Sequence, residues 1–201
     1  MRTRTKVYGL AGLVAVLLAL AALGSVLRHG ISARDQPTAA EAFLAGGMRH
    51  LAIPRGAERL LNPVPDGPQM LAEAEAHFAD HCASCHGDDG KGGTEIGRHL
   101  YPKAPDMTAA ATQTLTDGEI FFIIKNGVRL TGMPAWGDDT PEADRDTWKL
   151  VRFIRYLPRI TPQELDAMRA LNPKSRADLE EEEADRRFLA GEDATSLHHH
   201  P

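Results

Sequence analysis

The first apolar run of the chain is unbroken. Val7 to Leu27 holds 21 residues, mostly Leu, Ala and Val, without a single charge. At about 1.5 Å of helical rise per residue this run spans roughly 30 Å, the thickness of a bilayer's hydrocarbon core. Arg2, Arg4 and Lys6 precede it and Arg28 comes directly after. A basic leading flank stays cytoplasmic, so the rest of the chain is expected on the extracytoplasmic, periplasmic side. A cleavable signal peptide is the rival reading, with Ala22-Leu23-Gly24 as a small-residue cleavage site. Signal cores run about 7–15 residues, and the greater length here favours an uncleaved anchor over residues 1–30. Both readings export the remainder of the chain.

Residues 31–67 are rich in Pro, Gly and Ala and read as a spacer, with a short helix around Thr38 to His50 capped by Thr38. From Pro68 the periodicity becomes helical. Met70, Ala74, Phe78 and Cys82 recur every four residues, and Pro68 suits the first turn. Residues 87–115 contain Gly and Pro without periodicity and read as a structured loop. Thr116-Asp117-Gly118-Glu119 is a capping box that opens a helix carrying Ile120, Ile123 and Ile124 and ending at Asn126-Gly127. Thr140-Pro141 opens another, with Trp148, Val151, Phe153, Ile154 and Tyr156, stopped after Leu157 by Pro158. Thr161-Pro162-Gln163-Glu164 caps a short one. Strand signals are nearly absent, so the fold class is all-α: a small helical domain over residues 68–158, preceded by the transmembrane helix. Residues 159–201 form a polar helical extension ending in His198-His199-His200-Pro201.

Composition sharpens this picture at two points. Aromatic residues are only 5% of the chain, so a small core needs volume from elsewhere. The net charge is −5, and setting aside the three leading cations leaves −8 on the remainder. Nucleic-acid binding needs a basic surface, which excludes that class.

The chain has two cysteines, Cys82 and Cys85, in the run Cys82-Ala83-Ser84-Cys85-His86. A pair so close gains little from a disulfide, whose benefit grows with the loop it closes. The C-x-x-C-H spacing reads as covalent attachment of one haem c. Two thiols about a helical turn apart reach two vinyl groups on one porphyrin edge, and the adjoining imidazole is carried beneath the iron. A thioredoxin-like reading needs a βαβ context, and a zinc site needs a second ligand pair. The sequence offers neither. The sixth ligand is assigned to Met133, which lies 47 positions after His86 in Gly132-Met133-Pro134-Ala135-Trp136. Pro134 fixes the local backbone and Trp136 can cover the haem. Met48, Met70, Met107 and Met168 read as core or surface.

These residues resemble the class I c-type cytochromes, over roughly residues 68–157. Ala74, Phe78 and Cys82 look like that family's small–aromatic–Cys stripe on the first helix, and Phe153 and Tyr156 like the apolar-x-x-Tyr of its last. The family usually has Gly where this chain has Ala74. The resemblance implies thioether attachment at Cys82 and Cys85, His86 as proximal and Met133 as distal ligand. It also implies a Pro carbonyl supporting the proximal imidazole, for which Pro102 and Pro105 are both candidates. His77 and His81 on the attachment helix, His99 in the loop and the terminal His cluster are read chiefly as exposed positions, with metal or propionate contacts as alternatives.

The implied function is one-electron transfer outside the cytoplasm at the membrane, with no small-molecule substrate. The partner class is a redox protein: a terminal oxidase, a respiratory complex or an exported dehydrogenase. The alternatives are an electron-entry subunit of an oxidoreductase complex and a haem-based gas or redox sensor.

Overall fold

A computed structural model describes residues 2–30, 32–173 and 176–189. Ten α-helices and no strand occur among them. Helix α1 (Arg2–His29) contains a 22-residue segment, Val7–Arg28, long and apolar enough to cross a membrane, with its side chains exposed. Helix α2 (Ala39–Ala52) starts behind Thr38, whose hydroxyl accepts from the Glu41 amide at 3.2 Å while the Glu41 carboxylate accepts from the Thr38 amide at 2.7 Å. Phe43, Leu44 and Met48 stand exposed on it.

The helical domain is built on two elements. Helix α3 (Pro68–His81) starts with proline in its first turn, where a missing N–H costs nothing. Helix α8 (Pro141–Tyr156) repeats the device behind Thr140, whose hydroxyl accepts from the Ala143 amide at 3.2 Å. Ala74, Phe78 and Ala79 form the buried face of α3, and α8 buries Trp148, Leu150, Val151, Phe153 and Ile154. The two helices pack together, with the Phe78 and Phe153 rings tilted and 5.0 Å apart. Lys149 of α8 also reaches Glu73 of α3 at 2.8 Å.

The remaining helices close around this pair. Two of them, α5 (Glu95–His99) and α6 (Ala110–Gln113), lie in the stretch whose sequence suggested only a loop. They are too short to carry a readable period. Helix α7 (Asp117–Asn126) has the full capping box: the Glu119 carboxylate accepts from the Thr116 amide at 2.6 Å, and the Thr116 hydroxyl accepts from the Glu119 amide at 3.2 Å. It buries Ile120, Phe121 and Ile124, with Phe121 stacked on Trp148 at 4.1 Å. Arg155 fastens α8 to the start of α7, donating to Asp117 at 2.9 Å, to the Gln113 carbonyl at 2.8 Å and to the Leu115 carbonyl. After a 3-10 turn at Leu157–Arg159, the chain enters α9 (Pro162–Arg169), capped reciprocally by Thr161 and Glu164. Met168 of α9 is fully buried, as Met107 nearly is, whereas Met48 is exposed. The extension continues as α10 (Arg176–Leu189), and the terminal histidines lie outside the described residues.

The stretch read as a spacer is ordered in its second half. Ile53 and Ala57 are buried, and a 3-10 turn at Ala57–Arg59 packs on α7 so closely that a β-carbon at Gly118 would come within 1.8 Å of the Ala57 carbonyl oxygen. Asn62 donates to the Trp148 carbonyl at 2.9 Å, and Arg152 donates to the Val64 carbonyl at 3.0 Å.

This packing has measurable consequences. Phe153→Ala removes half of a fully buried ring pair and should cost about 3–5 kcal/mol in denaturant unfolding. Glu164 is held below its usual pKa, first by the Tyr156 hydroxyl at 2.6 Å and then by Thr161. A depressed carboxylate stabilises the fold above its unfolded pKa, and that contribution is lost as pH falls through the folded value. Glu164→Gln should therefore be less stable than the native protein at neutral pH, with the difference shrinking below about pH 4.3.

Candidate functional site

The five residues from Cys82 to His86 form one tight turn at the end of α3. The Cys82 amide donates to the Phe78 carbonyl at 2.8 Å, so its position is inherited from the helix that α8 holds. Helix α4 (Ala83–His86) begins at the next residue, with the His86 amide donating to the Cys82 carbonyl at 2.9 Å. Gly87 ends it at φ +76°, a conformation that side chains with a β-carbon resist. The turn thus has two half-buried thiols, unjoined, one just before a four-residue helix and one within it, and that helix ends in imidazole.

Burial sets the chemistry of the Cys82 and His86 groups. It pushes the Cys82 thiol up to about 12, with Cys85 adding to the effect. At neutral pH that sulfur rests as a thiol. His86 is 7% exposed, and desolvation lowers its pKa, which favours the neutral imidazole that binds metals. The Pro105 carbonyl pulls the other way as the backbone acceptor facing the ring, although it leaves the buried Nδ1 short of a full hydrogen bond. Of the two prolines that could give proximal support, Pro105 is the one against His86.

Helix α5 braces the turn from one side. The Thr94 hydroxyl donates to the Cys85 carbonyl at 2.9 Å and accepts from the Gly97 amide at 2.9 Å. A β-carbon on Gly97 would lie 2.2 Å from the Cys85 carbonyl oxygen. Neither Thr94 nor Gly97 stood out in the sequence, where a threonine three residues before a glycine is no sign of helix. The Ala104 amide donates to the Gly97 carbonyl at 3.0 Å and the Met107 amide to the Gly90 carbonyl at 2.8 Å, folding residues 100–107 back over this region.

Met133 lies half-buried in the loop after α7. Its amide donates to the Thr131 hydroxyl at 3.1 Å and its carbonyl accepts from the Val128 amide at 3.1 Å. Gly127, at φ +64°, lets the backbone of Pro134 come so near that a β-carbon would sit 2.5 Å from it. Gly132 rests against Leu100, which connects this loop to the chain leaving α5. Trp136 stacks on His81 with ring centroids 5.3 Å apart.

The other histidines have local partners. His99 Nδ1 lies 2.8 Å from the Glu95 carbonyl oxygen of its own helix, and His77 meets His81 edge to face at 5.0 Å. No group of three or more His, Cys, Asp or Glu able to hold a metal ion occurs among the described residues.

Residues 69–154 match the family described as cytochrome c oxidase, cbb3-type, subunit III. Over this segment the chain is similar to c-type cytochrome subunits of that kind. Over 85 residues the chain is 35% identical to the cbb3-type cytochrome c oxidase subunit FixP of Rhizobium meliloti (strain 1021), a match covering 40% of this chain and 27% of that protein. FixP of Sinorhizobium medicae (strain WSM419) is 38% identical over 81 residues, covering 38% and 24%. Subunit CcoP of Cereibacter sphaeroides is 36% identical over 75 residues, covering 37% and 24%. The matched stretch is about a quarter of each relative's length.

Haem c is the group a c-type cytochrome domain carries, and the residues of this segment fit it. The His86 imidazole is buried beside the Pro105 carbonyl, and both thiols are free. Apolar side chains on the flanking elements, Ile96 of α5 and Leu130 beside Met133, stand 52% and 92% exposed. The helical domain should be intolerant of bulk where α5 meets the cysteine turn. Gly97→Ala should cost about 1–3 kcal/mol in denaturant unfolding of the holoprotein. Gly93→Ala, with nothing within 4 Å of the added carbon, should leave stability nearly unchanged.

Proposed function

We propose that this protein moves single electrons at the extracytoplasmic face of a membrane through one haem c, joined to Cys82 and Cys85, with His86 and Met133 as axial ligands. The observation that carries the reading is the Cys82–His86 turn itself: two free thiols and a buried, neutral imidazole delivered together by the end of α3. The count of one haem rests on the two cysteines of the chain. When bound, the haem supplies the iron that is oxidised and reduced.

The protein's own work is positional. His86 is held against the Pro105 carbonyl, a neighbour of the kind that fixes ring orientation and ligand basicity. Met133 offers a thioether from a loop whose backbone is fastened on both sides of it, and such a ligand raises the reduction potential. The packed α3–α8 pair fixes where the cysteine turn begins. Val7–Arg28 is the anchor, keeping the domain at high effective concentration near a membrane-bound partner.

A second reading has its own support: the relatives are subunits of cbb3-type oxidases, which favours a life as an electron-entry subunit of a terminal oxidase over that of an independent carrier. Purification from native membranes separates the two, since constant stoichiometry with a catalytic subunit belongs to the subunit reading alone. For the site, Met133→Ala should lower the reduction potential and admit carbon monoxide or imidazole while leaving haem attachment intact. A variant with native potential and spectrum would remove Met133 from the site.

A further inference from the structure

Three rings make a short ladder at the end of the attachment helix, and neither haem attachment nor axial ligation makes use of it. His77 and His81, one turn apart on α3, meet edge to face. Trp136 stacks on His81 nearly parallel, at 19° between planes. The Asp80 carboxylate lies 2.8 Å from Nδ1 of His81, which fixes how that ring is turned. His81 immediately precedes Cys82, and Trp136 comes three residues after Met133. The stack therefore connects the two halves of the site at their nearest points in sequence.

The other attachments of the 127–137 loop point elsewhere. The Trp136 amide donates to the Ile124 carbonyl at 3.2 Å and the Gly137 amide to the Lys125 carbonyl at 3.0 Å, both on α7. The bonds at Met133 are internal to the loop, and Gly132 rests on Leu100. None of these refers the loop to α3.

We propose that His81 is a positioning residue for Met133: its ring, oriented by Asp80, holds Trp136 and so keeps the methionine turn in register with the cysteine turn. The inference rests on Met133 as the sixth ligand. A purely structural role predicts something else. The His81 side chain is 42% exposed and Trp136 is 38% exposed, so the stack is a partly solvated contact whose share of global stability is modest. Its effect falls on the hold of the sulfur.

Imidazole titration of the ferric holoprotein, monitored by absorption, reads that hold directly, because imidazole must displace the sixth ligand. His81→Ala and Trp136→Ala should each tighten imidazole binding roughly two- to tenfold, the range one aromatic pair supplies. The double variant should gain no more than either single one, since both remove the same contact. His81→Phe, which keeps a flat ring, should restore native affinity, and the loss of unfolding stability in His81→Ala should match the fold-change in imidazole binding rather than exceed it. Native imidazole affinity in His81→Ala, or a double variant showing the two effects compounded, overturns the brace, provided Met133→Ala binds imidazole far more tightly than native. Unchanged affinity in Met133→Ala overturns the ligand assignment and the brace together.

Discussion

An imidazole removed from water needs a partner, because a buried polar nitrogen left alone costs about 1–3 kcal/mol. His86 is in that position. Its burial is enforced by α4, α5 and the chain near Pro105, and the protein supplies only a partial acceptor for Nδ1. The neighbouring construction makes sense as support for that one side chain. The α3–α8 pair fixes Cys82, Gly97 allows α5 to close on the Cys85 carbonyl, and the fold of residues 100–107 sets Pro105 beside the ring. A ring that turns one nitrogen to the protein leaves the other to bind a metal.

The parts readable in the sequence are those whose physics is local. Pro68, the Thr116–Glu119 box, Thr140-Pro141 and the Thr161–Glu164 box announce helix starts because each motif satisfies its own backbone donors within four residues. Cys82, Cys85 and His86 were legible for the same reason, lying within five consecutive positions on a single turn. The contacts that were not legible join distant residues. Ala57 against Gly118, Arg152 on the Val64 carbonyl and Trp136 on His81 leave no periodicity behind them. Helices α5 and α6 were hidden by length, since four or five residues complete barely one turn. Pro102 and Pro105 are equivalent in sequence, and only the fold of the chain back from Gly97 separates them.

Small residues do as much here as the aromatic core. Gly97, Gly118 and Gly127 each sit where backbone from a separate segment passes within the space a methyl group would fill. In a chain with few aromatic residues, these close approaches replace bulk with proximity, and they locate loops more sharply than side-chain contacts of longer reach would. Met133 benefits most, since the loop carrying it belongs to no helix and derives its shape from Gly127, Pro134 and Thr131.

The docking of residues 53–66 onto α7 and α8 shortens the leash. Between His29 and Ile53, α2 takes up 14 residues in a rod of about 21 Å. With Val7–Arg28 in a bilayer, the seam where Asn62 meets Trp148 becomes the point from which the domain hangs. A domain tethered there is held by its flank instead of by a free end, so the side that carries the seam is the side nearest the tether.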